Sequence, residues 1–222
     1  MKKIIFNLIK SFHIFPSFVL PAYSQGFINL NFESAQIVTD GSLFRVNAWK
    51  ALPGWTNGYP SNAAIFYNDV SLGGAAVSIH DTNGFEPILQ GRYSVLLQGA
   101  NPGSGSASIG QTGQIPSSAQ SLTFWGQLGS LQITFGGQAV PYVAIGNGPN
   151  YTIYGGDISA FAGQTAELRF TALAHTGGGL IDNIQFSPSQ IPEPGSLALL
   201  GVSALLLGFF RGRNLQRLIR CR

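Results

Sequence analysis

Between Gln25 and Gln190 the apolar positions come in short runs, and many of these alternate with polar ones. Phe27 to Glu33, Ala63 to Tyr67, Ala75 to His80, Tyr93 to Gln98, Leu122 to Gln127, Leu131 to Phe135, Val140 to Ile145, Ala166 to Leu173 and Leu180 to Phe186 each have the length and β-rich composition of a strand. Turn residues separate them: Leu52-Pro53-Gly54, Gly73-Gly74, Asn101-Pro102-Gly103, Gly136-Gly137, Gly146-Asn147-Gly148-Pro149 and Gly177-Gly178-Gly179. No stretch of 10 to 12 residues keeps a helical period. The pattern predicts an all-β fold, a single antiparallel β-sandwich over residues 25–190, with a Ser187 to Pro192 linker behind it.

Strand faces follow from the period of two. Leu122, Phe124 and Gly126 oppose Thr123, Trp125 and Gln127, while Leu168, Phe170 and Ala172 oppose Glu167, Arg169 and Thr171. In the last run the same rule sets Asp182 on one side with Leu180, Ile184 and Phe186. A carboxylate among apolar neighbours needs hydrogen bonds or a cation.

The two ends have a different character. Lys2 and Lys3 precede an apolar stretch broken by Lys10 and His13, and Ala22 and Ser24 are small residues placed for a signal-peptidase cut before Gln25. Residues 1–24 are therefore expected to be a signal peptide. At the other end Pro192-Glu193-Pro194 precedes Ser196 to Phe210, which carries no charge, and then Arg211, Arg213, Arg217, Arg220 and Arg222. The apolar stretch is predicted to be a transmembrane helix, at the short limit of the roughly 20 residues that a span needs. The arginines favour the cytoplasmic side. A plain membrane anchor is the other interpretation of this end.

These terminal features resemble the PEP-CTERM sorting segment, over residues 191–222. The segment type has also been labelled from ice-binding proteins, although no regular threonine array is present here. The resemblance implies export, an exosortase-type processing protease as partner besides signal peptidase, a membrane stage, and a destination in the cell envelope, on the outer surface or in the extracellular matrix. Pro192, Glu193, Pro194, Arg211 and Arg213 would carry the sorting.

The targeting ends change the meaning of the net charge of +3. The body holds four basic residues, Arg45, Lys50, Arg92 and Arg169. Its acids are Glu33, Asp40, Asp69, Asp81, Glu86, Asp157, Glu167 and Asp182. An acidic body without a basic patch argues against nucleic acid as a partner. The single cysteine, Cys221, sits in the arginine tail, so no disulfide forms within the body.

A second resemblance covers most of the body. Asn29 to Glu33, Leu52 to Thr56, Gly91 to Gln98, Leu122 to Trp125 and Leu180 to Ile184 stand in the order found in galactose-binding-like jelly rolls, the fold of many carbohydrate-binding modules. It implies fold more than ligand. It also implies a structural Ca2+ near the first and last strands, for which Glu33 and Asp182 are the matching carboxylates. Calcium takes 6 to 8 oxygen ligands, so two carboxylates would need carbonyl oxygens beside them.

Catalytic patterns are absent. His13, His80 and His175 lack zinc spacing, and Gly103-Ser104-Gly105-Ser106-Ala107 does not fit a nucleophile elbow and reads as a loop. The expectation is a non-catalytic structural or adhesive protein associated with exopolysaccharide. Two alternatives stay open. One is a carbohydrate-binding module with a defined glycan site, with Trp49, Tyr59, Tyr67, Tyr142, Tyr151 and Tyr154 as loop aromatics and Trp55, Phe124 and Trp125 as packing residues. The other is a secreted polysaccharide hydrolase using a pair from Glu33, Asp69, Asp157 and Asp182.

Overall fold

The computed structural model describes residues 26–58, 64–84 and 86–191. The signal-cleavage residues Ala22, Ser24 and Gln25, the sorting residues Pro192, Glu193, Pro194, Arg211 and Arg213, the apolar stretch 196–210 and Tyr59 lie outside the described residues. Among the described residues no helix is long and apolar enough to cross a membrane.

Among the described residues the regular structure is almost all strand, in two sheets. In order the elements are β1 (Arg45–Asn47), α1 (Ala48–Ala51), β2 (Thr56–Asn57), β3 (Ala64–Tyr67), β4 (Ala76–His80), β5 (Ser94–Gln98), β6 (Ala107–Gln114), β7 (Ser121–Leu128), β8 (Gln132–Phe135), β9 (Gln138–Ala139), β10 (Val143–Asn147) and β11 (Thr152–Asp157). A 3-10 turn at Ser159–Phe161, β12 (Thr165–Ala172) and β13 (Gly178–Ser187) complete the body. One sheet has eight strands in the order β1-β3-β4-β5-β13-β7-β11-β10, and the other has five in the order β2-β6-β12-β8-β9. A single apolar core draws on both sheets. Val95, Leu97, Leu122, Phe124, Ile181 and Ile184 come from the first, and Ile109, Ile133, Phe135, Leu168 and Phe170 from the second. Phe124 stands edge-on to Phe170, with ring centroids 5.4 Å apart, which ties the layers together.

Four expectations need correction. The pairing is not wholly antiparallel, because β3 and β4 run parallel. Residues 27–33 form no strand. Gly26 makes one bridge to Gln114, and the chain then turns, with Asn29 Oδ1 accepting from Ser34 N (3.0 Å). Such side-chain-to-backbone bonds compete with a ladder.

The third correction concerns Asp182. A bulge between Asp182 and Gln185, with Asn183 at φ 44°, breaks the alternation of β13. Ile181, Ile184 and Phe186 therefore pack with the core, whereas Asp182 shares the outer face with Leu180. The fourth concerns the segment after β13. Ser187 is still strand, and residues up to Ile191 lie on the body.

Candidate functional site

The outer face of the eight-stranded sheet is where polar chemistry gathers. Register places Ser78, His80, Ser94, Leu96, Leu180, Asp182, Trp125 and Gln127 on that face, opposite the core residues Val95, Leu97 and Ile181. Ser78, His80, Ser94 and Asp182 are nevertheless fully buried, together with their neighbour Asp81.

Asp182 is the centre of the first cluster. Its Oδ2 accepts from Gln90 N (3.1 Å) and Ser94 Oγ (2.9 Å), and its Oδ1 accepts from Asn183 N (2.6 Å). Burial pushes its carboxyl up to about 7. The hydrogen bonds from Ser94, Asn183 and Gln90 oppose that rise, and the nearby charge of Glu33 adds to it.

Glu33 approaches the same loop from the N-terminal turn. Its Oε1 accepts from Arg92 N (2.8 Å) and Tyr93 N (3.1 Å). Phe32, at φ 58°, is in a conformation that costs a bulky residue free energy. The turn sends the Phe32 ring into the core against Trp55 while Glu33 reaches outward. Gly91 has φ 59°, which favours glycine, and a Cβ there would lie 2.3 Å from Glu33 Oε1 and displace that carboxylate.

Both carboxylates thus take hydrogen bonds from the segment between Gln90 and Ser94. Their oxygen-only chemistry suits a hard cation. Glu33 Oε2 and one lone pair of Asp182 Oδ1 are left over by these bonds. Among the described residues no group of three or more His, Cys, Asp or Glu side chains gathers, so further ligands would be carbonyl oxygens and water.

A second knot surrounds Asp81. Tyr67 Oη (2.8 Å), Asn68 Nδ2 (2.7 Å), Asn83 N (2.9 Å) and Asn83 Nδ2 (3.2 Å) donate to its carboxylate. Burial pushes the Asp81 carboxyl up, but these donors outweigh it and hold it below the usual range. Tyr67 is pushed up to about 12 by burial and by Asp81. Burial takes His80 down to about 4, against the pull of Asp69 and Asp81.

Beside these clusters the outer face opens into a groove of about 400 Å³. Leu96 and Leu180 are among its lining, and its polar side chains are Ser71, Glu86, Gln98, Asn101 and Gln127. Gln98 Oε1 accepts from Ser71 N (2.9 Å), which fixes the amide so that its NH2 is the donating end. The rim needs glycine. A Cβ at Gly178 would lie 1.9 Å from Leu97 O. A shallower hollow of about 680 Å³ meets the groove at Gln127 and includes Asn147, Asn150 and Tyr151. Amides and hydroxyls in a shallow trough match a ligand rich in hydroxyl groups.

The predicted aromatics divide. Tyr67 serves Asp81, and Tyr142 donates to Leu131 O (2.9 Å) within a cluster with Phe124 and Tyr154. Trp55 and Phe124 are packing residues, 6% and 0% exposed. Trp49 is 70% exposed on α1. Tyr151 stacks on Trp125 with centroids 4.0 Å apart and planes 9° apart, beside the hollow. Of the remaining acids, Asp157 accepts from Ser159 N (2.8 Å) and Asp69 from Val70 N (2.8 Å). The groove residues Gln98 and Gln127 escaped sequence reasoning. Their only signal was a polar residue at alternate positions of two strands.

Comparison with known proteins adds little about the body. No curated protein matches the chain. A solved structure that is similar to it is the bacteriophage CBA120 tailspike protein 4 enzymatically active domain. That match has 20% identity and a TM-score of 0.38, over 71% of this chain and 21% of that one. Residues 190–214 match the PEP-CTERM protein-sorting motif. The chain carries that motif, which implies an exported, membrane-processed protein.

Proposed function

We propose that this is an exported envelope or matrix protein whose jelly-roll body, galactose-binding-like in kind, holds a hydroxyl-rich polymer without cleaving it. The sorting motif at 190–214 carries the export half of the proposal. The outer-face groove supports the binding half. Its polar side chains are one carboxylate, three amides and a hydroxyl. Glycoside hydrolysis by the usual route needs two carboxylates flanking the bond, and among the described residues that line the groove Glu86 is the one acid. Exopolysaccharide is the polymer that an exported protein of this kind meets. Signal peptidase and an exosortase-type protease would process it.

The test is affinity electrophoresis of the mature protein in gels cast with exopolysaccharide from its host. Wild type should be retarded, and Gln98→Ala with Gln127→Ala should run free. Unretarded wild type would refute the binding half. Release of reducing sugar ends by wild type, abolished by Glu86→Gln, would instead establish the hydrolase alternative.

A structural calcium at Glu33 and Asp182 belongs to the same proposal. Bound there, a cation would supply fixed positive charge, tying the N-terminal turn to β13 and to the loop before β5. Chelator should lower the melting temperature and added Ca2+ restore it. An unchanged transition would remove calcium from the account.

A further inference from the structure

The sorting motif begins on the folded body. Its match starts at Gln190. Behind β13, Gln120 N donates to Ser187 O (2.8 Å), Ser121 Oγ donates to Ser189 O (2.7 Å), and Gln190 Nε2 reaches Gln120 Oε1 at 3.5 Å. Ile191 then lies across β11. A Cβ on Gly155 would come within 2.7 Å of Ile191 Cδ1 and 3.0 Å of Ile145 Cδ1. Gly155 pairs with Thr123, so this notch is on the outer face of the eight-stranded sheet. Its floor is a missing side chain, and its wall is Ile145 of the edge strand β10, itself 42% exposed.

Ile191 is the residue immediately before Pro192-Glu193-Pro194. Five residue steps separate it from Ser196, where the apolar stretch begins, so the chain between them spans at most about 18 Å. While Ile191 is seated, a protease working at Pro192-Glu193-Pro194 must act close to the β10–β11 edge. We infer that the Gly155–Ile145 notch is a clamp for the head of the sorting motif, and that Ile191 leaves it before the motif is processed. The inference rests on the export reading above. It makes the β10–β11 edge an interaction surface whose occupant is this chain's own tail. Processing would then be slower than for the same motif on a free tether, by a factor set by one half-buried isoleucine.

The experiment leaves the motif untouched. Gly155→Val fills the notch with a strand-compatible side chain. Ile145→Ser removes its wall at a position 42% exposed, so it should cost the body little stability. Each full-length variant is expressed in the native host, and conversion of precursor to processed form is followed by pulse-chase and mass. Both variants should be processed about three- to tenfold faster than wild type, the scale of one partly buried isoleucine. Protease resistance of the body should stay at the wild-type level. Equal rates, or slower processing by a body that keeps its resistance, would overturn the clamp. Wild type that is never processed would sink the export reading and the clamp with it, whereas processed wild type with unaffected variants sinks the clamp alone.

Discussion

Asp182 and His80 are buried ionisable residues on β13 and β4, the strands either side of β5, and their surroundings push them in opposite senses. His80, taken down to about 4 by burial, is kept neutral in the folded protein and binds a proton near pH 6.5 once unfolded. Its contribution to stability is thus complete above pH 6.5 and is lost as pH falls towards 4. The difference in unfolding free energy between wild type and His80→Gln should shrink across that window. A constant difference would contradict the burial argument. Glu33→Gln keeps an oxygen for the amides of Arg92 and Tyr93 but removes a charge. In chelator it should melt close to wild type, and it should lose any gain that Ca2+ gives wild type. Phe124, fully buried between Tyr154 and Phe170, should cost about 3–5 kcal/mol as alanine, measured by urea unfolding. The ion pair Arg169–Glu167 is about one-third exposed, and its removal should cost no more than ~1 kcal/mol.

The strand elements show how far a single sequence reaches. β4, β5, β7, β8, β12 and β13 were legible, because each carries apolar residues at alternate positions or in a short run bounded by turn residues. β6 was not. Ala107–Gln114 has one large apolar residue, Ile109, and two glycines, so it resembles a loop. It is nevertheless inserted between β2 and β12, pairing with β12 along its whole length. Gly110 faces Glu167 and Arg169, and Gly113 faces Phe27, so its small residues admit side chains from neighbours. β11 hid for the same reason, behind Gly155 and Gly156. The bulge at Asn183 was illegible because strict alternation is the only rule a sequence offers, and one extra residue moves Ile184 into the core. Glu33 and Asp182 were matched by resemblance; Gln90, which donates to Asp182, and Arg92, which donates to Glu33, come from a loop before β5 that no periodicity marks. The close approach of β13 to β5 gives a test at this scale. Gly178→Ala should destabilise by about 1–3 kcal/mol or more, since the new methyl meets the backbone of Leu97. A neutral substitution would mean that the two strands are free to separate.

At the scale of the molecule, one sheet face carries the groove, the buried carboxylates and the first residues of the sorting motif. The opposing five-stranded sheet closes the core behind them. A charge-poor sandwich with a polar trough and a sorting tail fits the proposed role outside the cell. The net charge of +3 belongs to the ends, so the exported body should be acidic, and its isoelectric point should fall well below the 9.2 of the whole chain. The most direct test is the mass of both termini of the protein recovered from its native host. The account predicts a start near Gln25 and an end between Pro192 and Gly195, whereas a mature chain that still carries Arg222 would contradict it.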